Sequence, residues 1–263
     1  MASPRGSTFG WEGRGTKVAA AHLFSLFVLA AWWAASQGVP SYLLPAPAEV
    51  ATTLVAFVTS ARSLGHMFSS FFHVALSIAI SFVLGAALAF VPYYLPATRI
   101  AIHGRLGPFL NSFSGVGWTL LAVMWFGVES TTVIFSISAV LLPFALVNVS
   151  EGLASLDREM IEMAQSFSRR SWRRFVLILL PALAPFMFAT IRIMFGVAWK
   201  VTLTAELFGG NAGFGYLINM ARQEFDTATI FVAIILIIAF VYGTDRLVFA
   251  PLQARLARQY GSA

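Results

Sequence analysis

The chain has 263 residues, 59% of them hydrophobic and 11% charged, with a net charge of +6 and no cysteine. Soluble domains carry about 25% charged residues, so this chain has too little polar surface to cover a globule in water and reads as an all-α integral membrane protein. The absent thiols exclude disulfides, iron–sulfur clusters and thiolate zinc sites, and the basic residues fall between apolar runs, which fits orientation in a bilayer better than nucleic-acid binding.

A helix needs ~20 mostly apolar residues to cross the hydrocarbon core. Residues 1–17 form a basic leading segment, and the first expected span is 18–36. Its basic front also fits a signal peptide, but the run is long and no clear A-x-A cleavage site follows, so it is read as retained. PSYLLPAP at 40–47 is punctuated by proline and extended. Residues 48–62, with Val50, Leu54, Phe57 and Val58, read as a short helix lying at the outer interface. Further spans are expected at 71–95, 109–127, 131–149, 176–208 and 230–249, the third and fourth joined by a tight hairpin. Residues 18–250 then make one transmembrane domain of six helices, with 150–176 as its longest inner loop and 251–263 as a tail. With the N-terminus inside, 13 of the 17 Lys and Arg fall in inner segments, as the positive-inside rule requires. Both termini are therefore expected in the cytoplasm.

Local catalytic signatures are missing. Neither Lys17 nor Lys200 completes a GxxxxGK[ST] phosphate loop, and there is no HExxH or G-x-S-x-G. His66 and His73 are seven apart and could share a helix face, but polar residues near the outer interface are the simpler reading than a metal site.

The inner loop is more specific. Residues 162–181 read EMAQSFSRRSWRRFVLILLP, a helix, a turn and a second helix leading into a span. Acid comes early (Asp157, Glu159, Glu162) and base late (Arg169, Arg170, Arg173, Arg174), which suits the helix dipole. A plain positive-inside loop accounts for the arginines, but not for Glu162, Ala164, Ile178, Leu180 and Pro181 together. Those five resemble, in register, the E-A-A-x3-G-x9-I-x-L-P loop of binding-protein-dependent ABC permeases. Met163 stands for the second residue of that pattern, and Ser168 for its glycine. LLPAPAEV (43–50), MWFGVES (124–130), LLPFALVNVSEGL (141–153) and AWKVTLTAELFGGNAGFGYLI (198–218) resemble stretches of the nitrate/sulfonate/taurine-type permeases. At 111–119 the chain reads NSFSGVGWT, where that subgroup shows a proline-containing stretch after an arginine.

The resemblance implies the type I importer fold in a bacterial inner membrane, as a pair of permease chains. Separate ABC ATPase subunits would dock on the coupling loop through Glu162, Met163, Ala164 and Ser168, with Arg169 and Arg173 adding ionic contacts. ATP and Mg would be bound by those subunits and no cofactor by this chain. A periplasmic substrate-binding protein would deliver a small solute; nitrate, sulfonate, taurine, bicarbonate and cofactor precursors are the solutes implied.

Charges inside a span are costly and usually face a cavity or a partner. Arg192 and Lys200 lie eight residues apart, just over two turns, so both can point one way and a basic stripe would suit an anion. The competing arrangement pairs Lys200 with Glu206 or lets it snorkel outward. Asn111, Trp118 and Trp199 complete the pathway candidates, although aromatics in spans commonly serve packing. A stand-alone carrier, or a membrane enzyme using Lys200 and Glu206, is the alternative, and the charged inner loop is surplus to either.

Overall fold

The computed structural model describes residues 13–156, 173 and 175–260. Its long apolar helices are α1 (Gly13–Ser36), α3 (Ala61–Tyr94), α6 (Ser130–Ala154), α7 (Leu180–Gly209) and α9 (Thr227–Thr244). The shorter ones are α2 (Pro47–Thr59), α4 (Gly107–Ser112), α5 (Gly115–Phe126), α8 (Phe214–Gln223) and α10 (Ala250–Tyr260). There is no strand among the described residues.

Among the described residues five stretches are long and apolar enough to cross a bilayer: Val18–Ser36, Ala61–Tyr94, Ser130–Ala154, Phe175–Gly209 and Thr227–Leu256. The expected third span is different. α5 has only 12 residues, ~18 Å of rise, and it meets the preceding helical stretch at a bend of 85°. The cause is local. Asn111, Ser112, Ser114 and Gly115 are poor helix-interior residues. Phe113 and Ser114 adopt extended backbone, and the Ser114 hydroxyl accepts from Gly117 N at 3.1 Å, capping α5. The sixth crossing is thus a bent pair rather than a straight helix. The hairpin after it is tight as expected: Gly127 has φ +77°, a value that favours glycine, and α6 begins at Ser130.

The expected interfacial helix is α2, shortened to Pro47–Thr59 and started by proline at its first turn. It is more than a surface helix. Its buried Val50 and Phe57 face the bundle, and Phe57 stacks on Phe214 of α8 at 6.2 Å.

α6 sits at the centre, covered by α3, α5 and α7. Its contact with α3 is set by a stripe of small residues: Ser77, Ser81, Gly85 and Ala89 recur every four positions and are all buried. Lipid offers no hydrophobic drive for helices to associate, so close backbone approach and interhelical hydrogen bonds must hold them. Ser77 Oγ donates to Ile134 O at 3.2 Å, and Ser81 Oγ to Ser138 O at 3.0 Å. A Cβ on Gly85 would lie 2.5 Å from the Ala145 Cβ, so only glycine fits there. On the other side of α6, Val133, Ile137 and Leu141 pack with Met194 and Ala198 of α7.

Three π-helical turns occur at one end of the bundle: Ile100–Leu106 after α3, Phe175–Leu179 before α7 and Asp245–Phe249 after α9. The opposite end carries α2, α8 and the α7–α8 loop.

Candidate functional site

Lys200 is exposed on α7, on the stripe that also shows Phe186, Ile193 and Phe208 to the outside. Lys200 is a cation on an otherwise apolar outward stripe of this span. A charge inside a span is costly where it faces lipid, so the position favours a water-filled path or a partner.

The basic stripe reduces to Lys200. Arg192 forms a bidentate pair with Asp245, Nε–Oδ1 at 2.8 Å and Nη2–Oδ2 at 3.0 Å, and also donates to Gln253 of α10. The two side chains of the pair are 34% and 46% exposed.

Glu206 is not paired with Lys200, and its side chain is turned into the core of the bundle. Six residues place the two about 120° apart around the helix, and Glu206 is fully buried. Its Oε1 receives His73 Nδ1 at 2.9 Å. Its Oε2 receives both Ser70 Oγ and Gly215 N, each at 2.9 Å. Ser70 Oγ in turn accepts from Phe214 N at 2.8 Å, and Gly213 N donates to His66 Nδ1 at 3.3 Å. The glycines make this possible. Gly213 has φ +110°, and a Cβ there would lie 2.2 Å from Glu206 Cδ; one on Gly215 would lie 2.4 Å from Leu203 O. The carboxylate thus ties α3, α7 and the α7–α8 loop into one knot. Ser70, His66, His73, Gly213 and Gly215 were not singled out as functional from the sequence. The available signal was His66, Ser70 and His73 at helical spacing together with glycines at 209, 210, 213 and 215.

Trp199 is likewise a core group, 3% exposed, with its ring against Phe71, Phe195 and Phe240; its burial removes it from a pathway wall in this chain. Asn111 is exposed in the last turn of α4, beside the bend. Trp118 is buried in the wall of a groove of about 380 Å³ between α3, α4, α5 and α6. Of the coupling residues only Arg173 is described, and it is exposed. Glu162, Met163, Ala164, Ser168 and Arg169 lie outside the described residues. Among the described residues no cluster of His, Asp and Glu is arranged to hold a metal ion.

An all-helical bundle with five long spans and one bent pair among the described residues defines a multi-pass membrane protein. The chain belongs to the family of binding-protein-dependent transport system inner membrane components, which matches residues 27–255. It is similar to a probable ABC transporter permease protein of Brucella melitensis, 28% identical over 87% of this chain and 93% of that protein. The putative aliphatic sulfonates transport permease protein SsuC of Bacillus subtilis is 26% identical over 80% of this chain and 76% of its own length. The taurine transport system permease protein TauC of Escherichia coli is 28% identical over 89% and 87%. The chain is accordingly an ABC transporter permease component.

Proposed function

We propose that this permease forms the path for a small anionic solute, delivered by a periplasmic binding protein and driven by separate ATPase subunits that bind ATP and Mg. Lys200 carries the choice of an anion: a cation on an exposed, otherwise apolar stripe of a span attracts negative charge where water is scarce. The aliphatic sulfonates named for one relative are such solutes, and the taurine named for another carries the same sulfonate group beside an ammonium. Two copies of the chain, each with both termini in the cytoplasm, would place one Lys200 from each on a shared path. The ATPases would dock on the loop containing Glu162, Met163, Ala164, Ser168, Arg169 and Arg173.

The test is co-purification from the native host in mild detergent, with Glu162→Arg and Lys200→Met as companions. The expected result is an ATP-binding subunit recovered with the wild type and with Lys200→Met but lost with Glu162→Arg, and uptake of the solute abolished in both variants. Recovery of the chain alone, under conditions that keep known importers assembled, would overturn the reading in favour of a stand-alone carrier.

A further inference from the structure

Glycines in α3, α6, α7 and α9 have visible reasons, with one exception. A Cβ on Gly85 would strike Ala145, one on Gly152 would lie 3.0 Å from the Phe186 ring, and one on Gly209 would lie 2.7 Å from Thr132 Cγ2. Gly65 and Gly243 have open space but stand near the ends of α3 and α9. Gly196 stands near the middle of α7, and a Cβ there would meet nothing within 4 Å. Glycine weakens a helix interior relative to alanine, and packing within this chain does not call for it at 196.

Gly196, Lys200 and Thr204 follow one another at four-residue spacing, so they run along one face of α7. Lys200 is exposed and the other two are half-buried. The Thr204 hydroxyl is only weakly engaged. It lies 3.5 Å from Lys200 O, whereas Thr190 and Thr202 reach the carbonyl four residues back at 2.7 and 2.8 Å. A contact at 3.5 Å is at the limit of a hydrogen bond, which leaves this donor free to turn toward a ligand.

A second observation brings water to this level. A Cβ on Gly115 would lie 3.6 Å from Cγ1 of Val201, the residue after Lys200, so the break in the bent pair stands beside this file. Asn111, Ser112, Phe113 and Ser114 are all exposed there, and Phe113 and Ser114 are extended. Irregular backbone inside a span is tolerated only where it is buried in protein or borders water. A second copy packed symmetrically on this stripe would set Lys200 against Lys200, which like charges oppose. Water is the neighbour that suits both features.

We propose that Gly196 and Thr204 are specificity-determining residues of the anion site at Lys200. The Thr204 hydroxyl donates to an oxygen of the solute's oxyanion group beside the Lys200 ammonium, and Gly196 leaves room for whatever that group is attached to. The assignment rests on the permease reading above and extends its site from one residue to three.

The chain has no native cysteine, so Gly196→Cys and Thr204→Cys each give one reporter, one turn from Lys200, in the full chain in its native membrane. The probes are sulfonatoethyl methanethiosulfonate, an anion, and its trimethylammonium analogue, a cation, with the reacted chain weighed after purification. Both cysteines are expected to react. The ratio of anionic to cationic rates should fall about tenfold on Lys200→Met, the size expected for one charge about 6 Å away in water, and should hold with Lys200→Arg. Saturating methanesulfonate should slow the anionic reagent about threefold or more, and not in Lys200→Met. Thr204→Val should raise the concentration that half-protects Cys at 196 about fivefold, with Thr204→Ser restoring it. Gly196→Leu should keep the thermal midpoint and abolish protection of Cys at 204.

Reaction at neither position, or a rate ratio that ignores Lys200→Met, would overturn the proposal, because lipid or a second copy then covers the file. Protection unchanged by Thr204→Val and Gly196→Leu would overturn it as well, leaving Lys200 alone. Either result with ATPase co-purification intact removes these two residues and leaves the permease reading standing. A chain that purifies alone, yet keeps the Lys200-dependent ratio, does the reverse.

Discussion

Two carboxylates hold opposite ends of the bundle, and they do so by different physics. Glu206 is fully buried and meets a histidine, a serine hydroxyl and a backbone amide; Asp245 is about half exposed and meets one guanidinium. A buried carboxylate with several directed donors is expensive to disturb, because each donor is left without an acceptor when it goes. An exposed ion pair competes with water and salt and contributes little to stability. The α7–α8 end is therefore built to stay fixed, and the end bearing Arg192, Asp245 and α10 to yield.

The sharpest way to break this contrast is Glu206→Ala. It strands Ser70, His73 and the Gly215 amide in the core and should cost about 3–5 kcal/mol, read as a fall in the thermal midpoint of the detergent-purified chain. Glu206→Gln keeps an acceptor and should cost less, about 1–2 kcal/mol. If the two variants melt together, the knot is not held by its hydrogen bonds. Gly213→Ala comes next: with φ +110° and a Cβ 2.2 Å from Glu206 Cδ, it should cost at least about 2 kcal/mol by strain and displacement, by the same measurement. Asp245→Asn should be the smallest, leaving the midpoint unchanged within error while faster amide exchange appears over 250–260. The double exchange Arg192→Asp with Asp245→Arg should restore slow exchange there. A large fall in the midpoint for Asp245→Asn would erase the distinction between the two ends.

Much of the fold was legible because crossing a bilayer demands long apolar runs, and composition records those directly. Residues 18–36, 131–149, 176–208 and 230–249 all fall within helical stretches that meet the length test, as do 71–94 of the expected 71–95. The bend at Phe113 and Ser114 was harder to see. An apolar run of span length looks alike whether straight or broken, and the clue lay in side chains that cap rather than continue a helix. The partners of Glu206 were hidden for a related reason. A carboxylate in a span suggests a pathway, whereas its partners Ser70 and His73 lie 136 and 133 residues away. The small-residue stripe at 77, 81, 85 and 89 was open to inspection, since its spacing is helical, but hydropathy scarcely registers it.

The three π-helical turns have a consequence for how this sequence tolerates change in length. A π turn holds one residue more than the α-helical turn it replaces, and a residue gained or lost in a regular helix rotates everything beyond it by about 100°. Ile100–Leu106, Phe175–Leu179 and Asp245–Phe249 can each give up one residue by tightening to α-helix, with the rotation absorbed at the turn. The same deletion between Ser77 and Ala89 would swing part of the small-residue stripe away from α6. Related chains should therefore differ in length by single residues at the π-turn end, and keep a fixed count through the core of α3.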